Sequence, residues 1–506
     1  MDTTVAFATG AYVAFLLLMG VVGRRSMRQQ SLSEFYLAGR TIGFAVLLLT
    51  LFATQYSGNS LSGFPGKTYR AGLSYIMSVT FMVGIISGFL PIVPQLFARA
   101  RRKRFLTPTD YLADRFASPA LNYLSATIFA VTLCNFLLAQ LIAMGHAFSG
   151  LTEGRIPHWA GVVGGAVVIL IYECLGGMRA VAWTDAMQGM VLLLGLLMVV
   201  VLIMVEIGTP AAIVHTVHQI APEKIDNPGL KTCITWLSSF LLLGLGAPLY
   251  PQAIQRIYAA RQLTELRRAL AVMAVIPLFA ITTVVFIGLT GAAVFPDLGA
   301  VESDRVTFKV LAHLVDIQPL AAVPVIMVMM AVLAAIMSTA DSALLSLSSI
   351  FTKDFAGRLR GLKDAEVEKL ARLGPFFSAF VLLVFGLVAV QPQLTLWRLL
   401  EIKFEILIQL SPAFILGTLH QGGEDRAYNA GDILSGLLTG LAVALGLWAA
   451  GVKSIHGLHP GVLGVLINYA VVIGSRAIRI GKANPEVTAA TLELRSPTSF
   501  DDDRRV

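Results

Sequence analysis

Apolar residues run along this chain in stretches of about twenty, parted by short polar turns rich in arginine. A helix needs roughly 20 apolar residues to cross the hydrocarbon core of a bilayer. About thirteen stretches meet that measure: residues 3–23, 43–66, 72–97, 121–148, 158–175, 184–206, 233–255, 269–294, 319–350, 372–390, 397–420, 431–449 and 457–477. The pattern predicts an all-α polytopic membrane protein of about 13 transmembrane helices, with no room for a sizeable soluble domain.

Two spans depart from a plain apolar run. The second, Phe44 to Gly66, is apolar at first and then turns polar at Thr54-Gln55-Tyr56-Ser57-Gly58-Asn59-Ser60. The seventh, Ser239 to Arg256, carries Gly244, Gly246, Pro248 and Pro251 within one or two turns. Carbonyls freed by such breaks cannot face lipid, so they must line a buried cavity. Interrupted helices at matching places in two halves of a chain point to a transporter binding site. These two are the first helices of the halves if spans two to six form one repeat and seven to eleven the other.

The ninth span carries a stripe. Advancing about 100° per residue along Ala331 to Phe351 brings Ala335, Ser338, Thr339, Ser342, Ser346 and Ser349 onto one face. Hydroxyl and carbonyl oxygens suit hard cations, although serines also pack helices closely or bond their own backbone. Asp341 lies beside the stripe, and Asp185 opens the sixth span. An acid at membrane depth is costly and usually functional, whereas an acid at a helix start is an ordinary favourable charge.

Composition agrees with the membrane assignment: 56% of the 506 residues are hydrophobic and only 13% charged, half the charge of a typical soluble domain. The formal charge of +8 resides in loops between spans, which is a topology signal rather than a nucleic-acid footprint. Asp2 precedes the first span and Arg24 and Arg25 follow it, the reverse of a signal peptide, so the N-terminus is expected outside. Alternate loops are then rich in cations: Arg24, Arg25, Arg28 and Arg40; Arg99, Arg101, Arg102, Lys103, Arg104 and Arg115; Arg179; Arg256, Arg261, Arg267 and Arg268; Lys353, Arg358, Arg360 and Lys363. The intervening loops are poorer, holding Lys67 and Arg70, Arg155, Lys224 and Lys231, Arg305 and Lys309, and Lys453. An odd number of helices puts the C-terminal tail in the cytoplasm, and its polar composition is that of a disordered segment.

Cys134, Cys174 and Cys233 read as packing residues, and His215 and His218 as exposed loop histidines without a third metal ligand. Gly436 and Gly440 read as a close-packing GxxxG. No HExxH, no G-x-S-x-G elbow and no phosphate-binding loop in its expected context is found, so no enzyme, catalytic residue or resident cofactor is expected. A membrane sensor is a further alternative, but about 30 residues beyond the last span leave little for a signalling domain.

Five segments carry a resemblance. SEFYLAGRTIG at Ser33–Gly43, LTPTDYLADRFAS at Leu106–Ser118, GGMRAVAWTDAMQG at Gly176–Gly189, PQAIQRIYAAR at Pro251–Arg261 and AAIMSTADS at Ala334–Ser342 resemble, in order, motifs of the sodium:solute symporter family. The resemblance implies a 5+5 inverted-repeat (LeuT-type) core with one helix before it and two after. The units are then 1–42 (extra helix and first cytoplasmic loop), 43–206 and 233–420 (the repeats), 431–477 (two C-terminal helices) and 478–506 (tail). It implies alternating-access import of a small solute with Na+ as coupling ion, in a plasma membrane, expected to be a bacterial inner membrane.

The same resemblance implies a sodium site from the carbonyls of Ala53, Tyr56 and Ala335 and the hydroxyls of Ser338 and Thr339. A second ion position falls on Asp185, Ser338, Asp341 and Ser342. Asp341 stands where members with that position often have serine, which leaves its ion open between sodium and proton. Substrate contacts fall on Gln55, Ser57, Asn59 and Ser60 of the first broken helix and on Gly246, Ala247 and Tyr250 of the second. Proline-carrying members have an acid in place of Gln55 and aromatics in place of Leu243 and Ala247. FPGKTYRAGL at Phe64–Leu73 and HPGVLGVLINYAVVIGS at His459–Ser475 look more like the pantothenate and monocarboxylate branches. Proline or another amino acid, and a proton-coupled carrier, are the alternatives. Lys403, flanked by Glu401 and Glu405 and preceded by Arg398, reads as part of a self-paired interfacial cluster whose long side chains snorkel; the alternative is a buried lysine that meets a substrate carboxylate.

Overall fold

The computed structural model describes residues 2–26, 31–152, 154–357, 374–389, 395–419 and 428–483. Among them there is no β-strand, and a helix lies in each expected apolar segment. In chain order the helices are α1 (Asp2–Ser26), α2 (Leu32–Leu37), α3 (Phe44–Gln55), α4 (Phe64–Ala71), α5 (Ser78–Phe89), α6 (Val93–Lys103), α7 (Pro108–Phe116), α8 (Pro119–Leu151), α9 (His158–Glu206), α10 (Pro210–Ile220) and α11 (Leu230–Gly246). There follow α12 (Pro251–Ala259), α13 (Leu263–Val294), α14 (Val306–Ile317), α15 (Ala322–Ile350), α16 (Gly374–Ala389), α17 (Leu396–Leu407), α18 (Ser411–Leu419), α19 (Ala430–Ala449) and α20 (Pro460–Ala483). By length and composition, eight helical stretches among the described residues can cross a membrane, and four shorter apolar helices accompany them. The expected loop cations Arg358, Arg360 and Lys363, and the tail from residue 484, lie outside the described residues.

The core is an apolar helix wrapped by others. From Ala331 to Ile350 every residue of α15 is buried, the hydroxyl stripe as well as the apolar faces. It packs on α8, α9 and α3. The outer helices instead display apolar side chains: Leu194, Leu197, Val201 and Val205 on α9, and Val275 and Leu278 on α13. In water that would be a liability; in a bilayer it is the lipid-facing surface. Gly436 and Gly440 bring α19 against α20, where a Cβ would come within 2.4 Å of Val472 and 2.8 Å of Asn468 respectively.

Both expected breaks are present. After α3 the chain leaves helical geometry at Tyr56 (φ −94°, ψ 90°), then re-enters a wide π-helical turn over Asn59–Gly63 before α4. After α11 a short 3-10 turn, Ala247–Leu249, ends at Tyr250 (ψ 129°), and α12 restarts at Pro251.

One boundary differs. Spans 158–175 and 184–206 form a single bent rod, α9, whose bend is Gly177 at φ +54° and ψ −161°. Only glycine takes that conformation freely, and a Cβ there would sit 2.7 Å from the Phe35 carbonyl. The helix restarts at the bend, so Asp185 lies two turns inside it, fully buried, rather than at the opening of a span.

Candidate functional site

The break after α3 is held open from outside. The Gly58 N–H donates to Gln140 Oε1 of α8 at 2.9 Å, and a Cβ at Gly58 would fall 2.6 Å from that of Ala143. The Leu61 carbonyl accepts from Thr307 at 2.7 Å. Groups that would otherwise be orphaned by the unwinding thus find partners on neighbouring helices.

Against this break lies the hydroxyl stripe. Thr339 Oγ1 reaches the Ala335 carbonyl at 2.9 Å and the Ala53 carbonyl at 3.4 Å, so three of the five proposed sodium ligands meet at one point between α3 and α15. Ser338, one residue earlier, donates to Asp185 Oδ1 at 2.5 Å. Tyr56 is the residue at which α3 ends, its ring packed on Phe52.

Asp185 is the centre of a buried polar knot that sequence reasoning reached only in part. Its Oδ2 accepts from Thr50 at 2.5 Å and from Arg256 Nη2 at 2.7 Å. Arg256 also donates to Ser342 Oγ at 2.7 Å, to Thr50 Oγ1 at 2.9 Å and to the Gln252 carbonyl at 3.0 Å. Ser342 in turn reaches Asp341 Oδ1 at 3.4 Å. Arg256 is expected among the loop cations; it is instead the largest completely buried side chain among the described residues. The reason is that α12 resumes beyond the Pro251 break and carries Arg256 back into the core, where buried Asp185 requires a counter-charge. Next to it, Ser346 donates to Gln255 Oε1 at 2.6 Å and Gln255 Nε2 donates to Ser349 at 2.7 Å.

On the other side of the α3 break is a cavity of about 60 Å³, lined by Gln55, Ser57 and Ser60, by Ala247 and Tyr250, and by Phe136, Gln252, Lys403 and Phe404. Five of the expected substrate residues therefore line it. Asn59 stands just behind, with its amide oriented so that the oxygen accepts from Lys403 Nζ at 3.2 Å and the nitrogen donates to the Leu396 carbonyl at 3.0 Å. Gly246 borders Phe404, 2.9 Å from where its Cβ would be.

Lys403 is not part of an interfacial cluster. It is 1% exposed, with Nζ 3.6 Å from the Phe136 ring centre and 5.4 and 5.5 Å from those of Tyr250 and Phe404. Residues two apart on a helix point to opposite sides, so Lys403 turns away from both Glu401 and Glu405. Those acids pair with Arg398 instead, at 3.0 and 3.8 Å. Among the described residues no carboxylate lies within ion-pair distance of Lys403. The amide nitrogen of Gln55 and both amide atoms of Gln252 are likewise buried without a hydrogen-bond partner at the cavity wall. Phe136, Gln252 and Phe404 were missed because each is an ordinary membrane-helix residue until the helices are assembled.

Among the described residues no His, Cys, Asp or Glu group is arranged to hold a metal ion. His215 and His218 are exposed on α10. Cys134 is part-buried and Cys233 exposed, both free thiols.

The family model for sodium:solute symporters matches residues 35–439. The chain belongs to the sodium:solute symporter family. It is 26% identical over 496 residues to the sodium/pantothenate symporter of Escherichia coli (strain K12), covering 95% of this chain and 98% of that one. To the sodium/proline symporter of Staphylococcus aureus it is 27% identical over 481 residues, 91% of each. Among solved structures it resembles a substrate-bound, outward-open Na+-coupled sialic acid symporter (TM-score 0.73, 18% identity, 94% of this chain and 97% of that one). It also resembles a nucleobase-cation-symport-1 family transporter in a closed conformation (TM-score 0.57, 15% identity, 89% and 95%). The structural likenesses establish the fold alone. As a member of a transporter family, the protein is not an enzyme.

Proposed function

We propose that this family member is a sodium-coupled symporter that imports a small organic carboxylate by alternating access. The observation that carries the reading is Lys403: a buried ammonium without a carboxylate partner, facing a cavity between two broken helices. A buried cation is costly unless paired, and a substrate carboxylate supplies the partner. The unpaired amides of Gln55 and Gln252 then orient the remainder of the solute. Among the described residues lining the cavity there is no acid. A zwitterion such as proline would leave its ammonium unmatched, whereas pantothenate and monocarboxylates have no such group.

Sodium enters at Ala53, Tyr56, Ala335, Ser338 and Thr339. An ion held there ties α3 to α15 at the same break whose other face lines the cavity. Each ligand therefore favours the conformation the other needs, which is the condition for coupling. We further propose an N-terminus outside and a C-terminal tail in the cytoplasm, in a bacterial inner membrane, on the strength of the arginine bias of alternate loops. Residues 43–206 and 233–420 are the inverted repeats, each opening on a broken helix.

A proton-coupled carrier is the second reading, favoured by the two buried acids Asp185 and Asp341. Uptake by proteoliposomes decides. Radiolabelled pantothenate, lactate and proline are offered with inward sodium and proton gradients imposed separately. A carboxylate is expected to accumulate only with the sodium gradient, and proline not to. Equal uptake from sodium-free medium under a proton gradient would reject sodium coupling, and preferred uptake of proline would reject the carboxylate.

A further inference from the structure

Asn59 leaves the α3 break towards α17. It is 1% exposed and stands behind the cavity wall rather than in it. Its amide nitrogen donates to the Leu396 carbonyl at 3.0 Å, and its oxygen accepts from Lys403 Nζ at 3.2 Å. Leu396 and Lys403 fall about two turns apart on one face of α17. A single side chain thus ties the start of that helix to its buried ammonium. Resting on the carboxylate reading above, we infer that Asn59 is a positioning residue for Lys403 rather than a solute contact: it holds the ammonium at the cavity wall and leaves its charge for the solute.

The chemistry of the pair supports this. An ammonium has three donors. Among the described residues Lys403 has no hydrogen-bond acceptor other than the Asn59 oxygen, and the rings of Phe136, Tyr250 and Phe404 surround the head. A lysine stem carries about 2 kcal/mol of rotamer entropy. An acceptor that fixes it before the solute arrives lowers that cost to binding. The acceptor is also neutral. A carboxylate in its place would pair with Lys403, and the solute would have to displace it. An amide accepts the hydrogen bond without neutralising the charge.

The mount on either side is fixed. Asn59 sits in a turn closed by the Ser57 carbonyl, which accepts from the Ser60 N–H at 2.9 Å and the Leu61 N–H at 3.0 Å. Gly58 is held by Gln140 of α8, and the Leu61 carbonyl by Thr307 of α14. On α17 the Leu396 N–H donates to Asp304 Oδ2 at 2.7 Å, so Leu396 is anchored through both its N–H and its carbonyl. Gln55 and Gln252 differ from Asn59: they line the cavity with amide atoms that have no partner, as solute contacts should.

The test is a double-mutant cycle on KM, measured as sodium-driven uptake of radiolabelled lactate and of radiolabelled pantothenate by proteoliposomes of the full-length protein. Lys403→Met is expected to raise KM about tenfold or more. Asn59→Leu, similar in size but unable to accept, should raise it about threefold or more. In the Lys403→Met background, Asn59→Leu should change KM by less than about twofold, because its effect runs through the ammonium. Effects that multiply would overturn the inference, since Asn59 would then touch the solute itself. No change in KM for Asn59→Leu alone would overturn it too. Asn59→Asp is the second arm, and it decides alone where Asn59→Leu fails by size-exclusion profile or Lys403→Met shows no uptake. It keeps the shape but gives Lys403 a resident partner, so KM should rise about tenfold or more; an unchanged KM would overturn the inference. Unchanged KM in Lys403→Met, or no uptake of either acid by the wild type, would instead reject the carboxylate reading and this inference with it.

Discussion

Arg256 Nη2 lies 2.7 Å from Asp185 Oδ2, and neither side chain has any exposed surface. The pair joins α12, the second half of one broken helix, to α9 just beyond its Gly177 bend. Through Thr50 and Ser342 it also reaches α3 and α15. Four helices, among them α3 and α15 that carry the proposed sodium ligands, therefore share one buried ion pair.

Removing either charge alone strands the other. Asp185→Asn and Arg256→Gln should each lower stability by roughly 3–5 kcal/mol, the usual effect of leaving one buried partner unpaired. The double variant should lose less than the sum. Thermal unfolding in detergent measures this, and an additive double variant would show that the charges do not compensate each other. Asp185→Asn should also lose most sodium-driven uptake, because the amide keeps only one of the two oxygens that accept from Ser338 and Thr50 and loses the negative charge.

Thr339→Ala removes the hydroxyl that bridges the Ala53 and Ala335 carbonyls. It should raise the sodium concentration for half-maximal uptake by an amount worth roughly 1–3 kcal/mol. Ser349→Ala should change it much less, since Ser349 bonds Gln255 and the Ser346 carbonyl. Equal effects of the two variants would remove Thr339 from the ion site.

Lys403→Met keeps most of the apolar stem among Phe136, Tyr250 and Phe404 but deletes the charge. Uptake of a carboxylate should weaken by roughly 1.5–3 kcal/mol in KM, the range of a hydrogen bond to a charged group. Stability should hold or rise, because a buried lone charge is removed. Unchanged KM with normal expression would show that Lys403 does not touch the solute.

Gln140→Leu leaves the Gly58 N–H without its acceptor. The expected loss is about 1–3 kcal/mol of stability, the penalty of an unsatisfied buried donor. Sodium affinity should fall as well, because the same break presents the Ala53 and Tyr56 carbonyls. A thermal unfolding curve and a sodium titration check the two effects, and wild-type sodium affinity would separate the break's geometry from ion binding.

The local features were legible in the sequence because they follow from spacing along one helix. Apolar stretches of spanning length, the Gly–Pro punctuation of the two broken helices and the hydroxyls at helical intervals from Ser338 to Ser349 need no partner to be recognised. So do five motifs in the right order, which already pointed to the family. What the sequence could not decide is which side chains meet across helices. Arg256 read as one more loop arginine because only the return of α12 into the core buries it. Lys403 read as self-paired because its acidic neighbours are close in number, whereas the helix turns it to the opposite face and tertiary packing surrounds it with Phe136, Tyr250 and Phe404. Asp185 read as the start of a span because a single left-handed glycine, not a loop, separates the two arms of α9. In each case a residue's position along the chain set its helix. The counter-charge, cavity or ring it faces came from residues tens to hundreds of positions away, and only the assembled bundle brings those within hydrogen-bonding range.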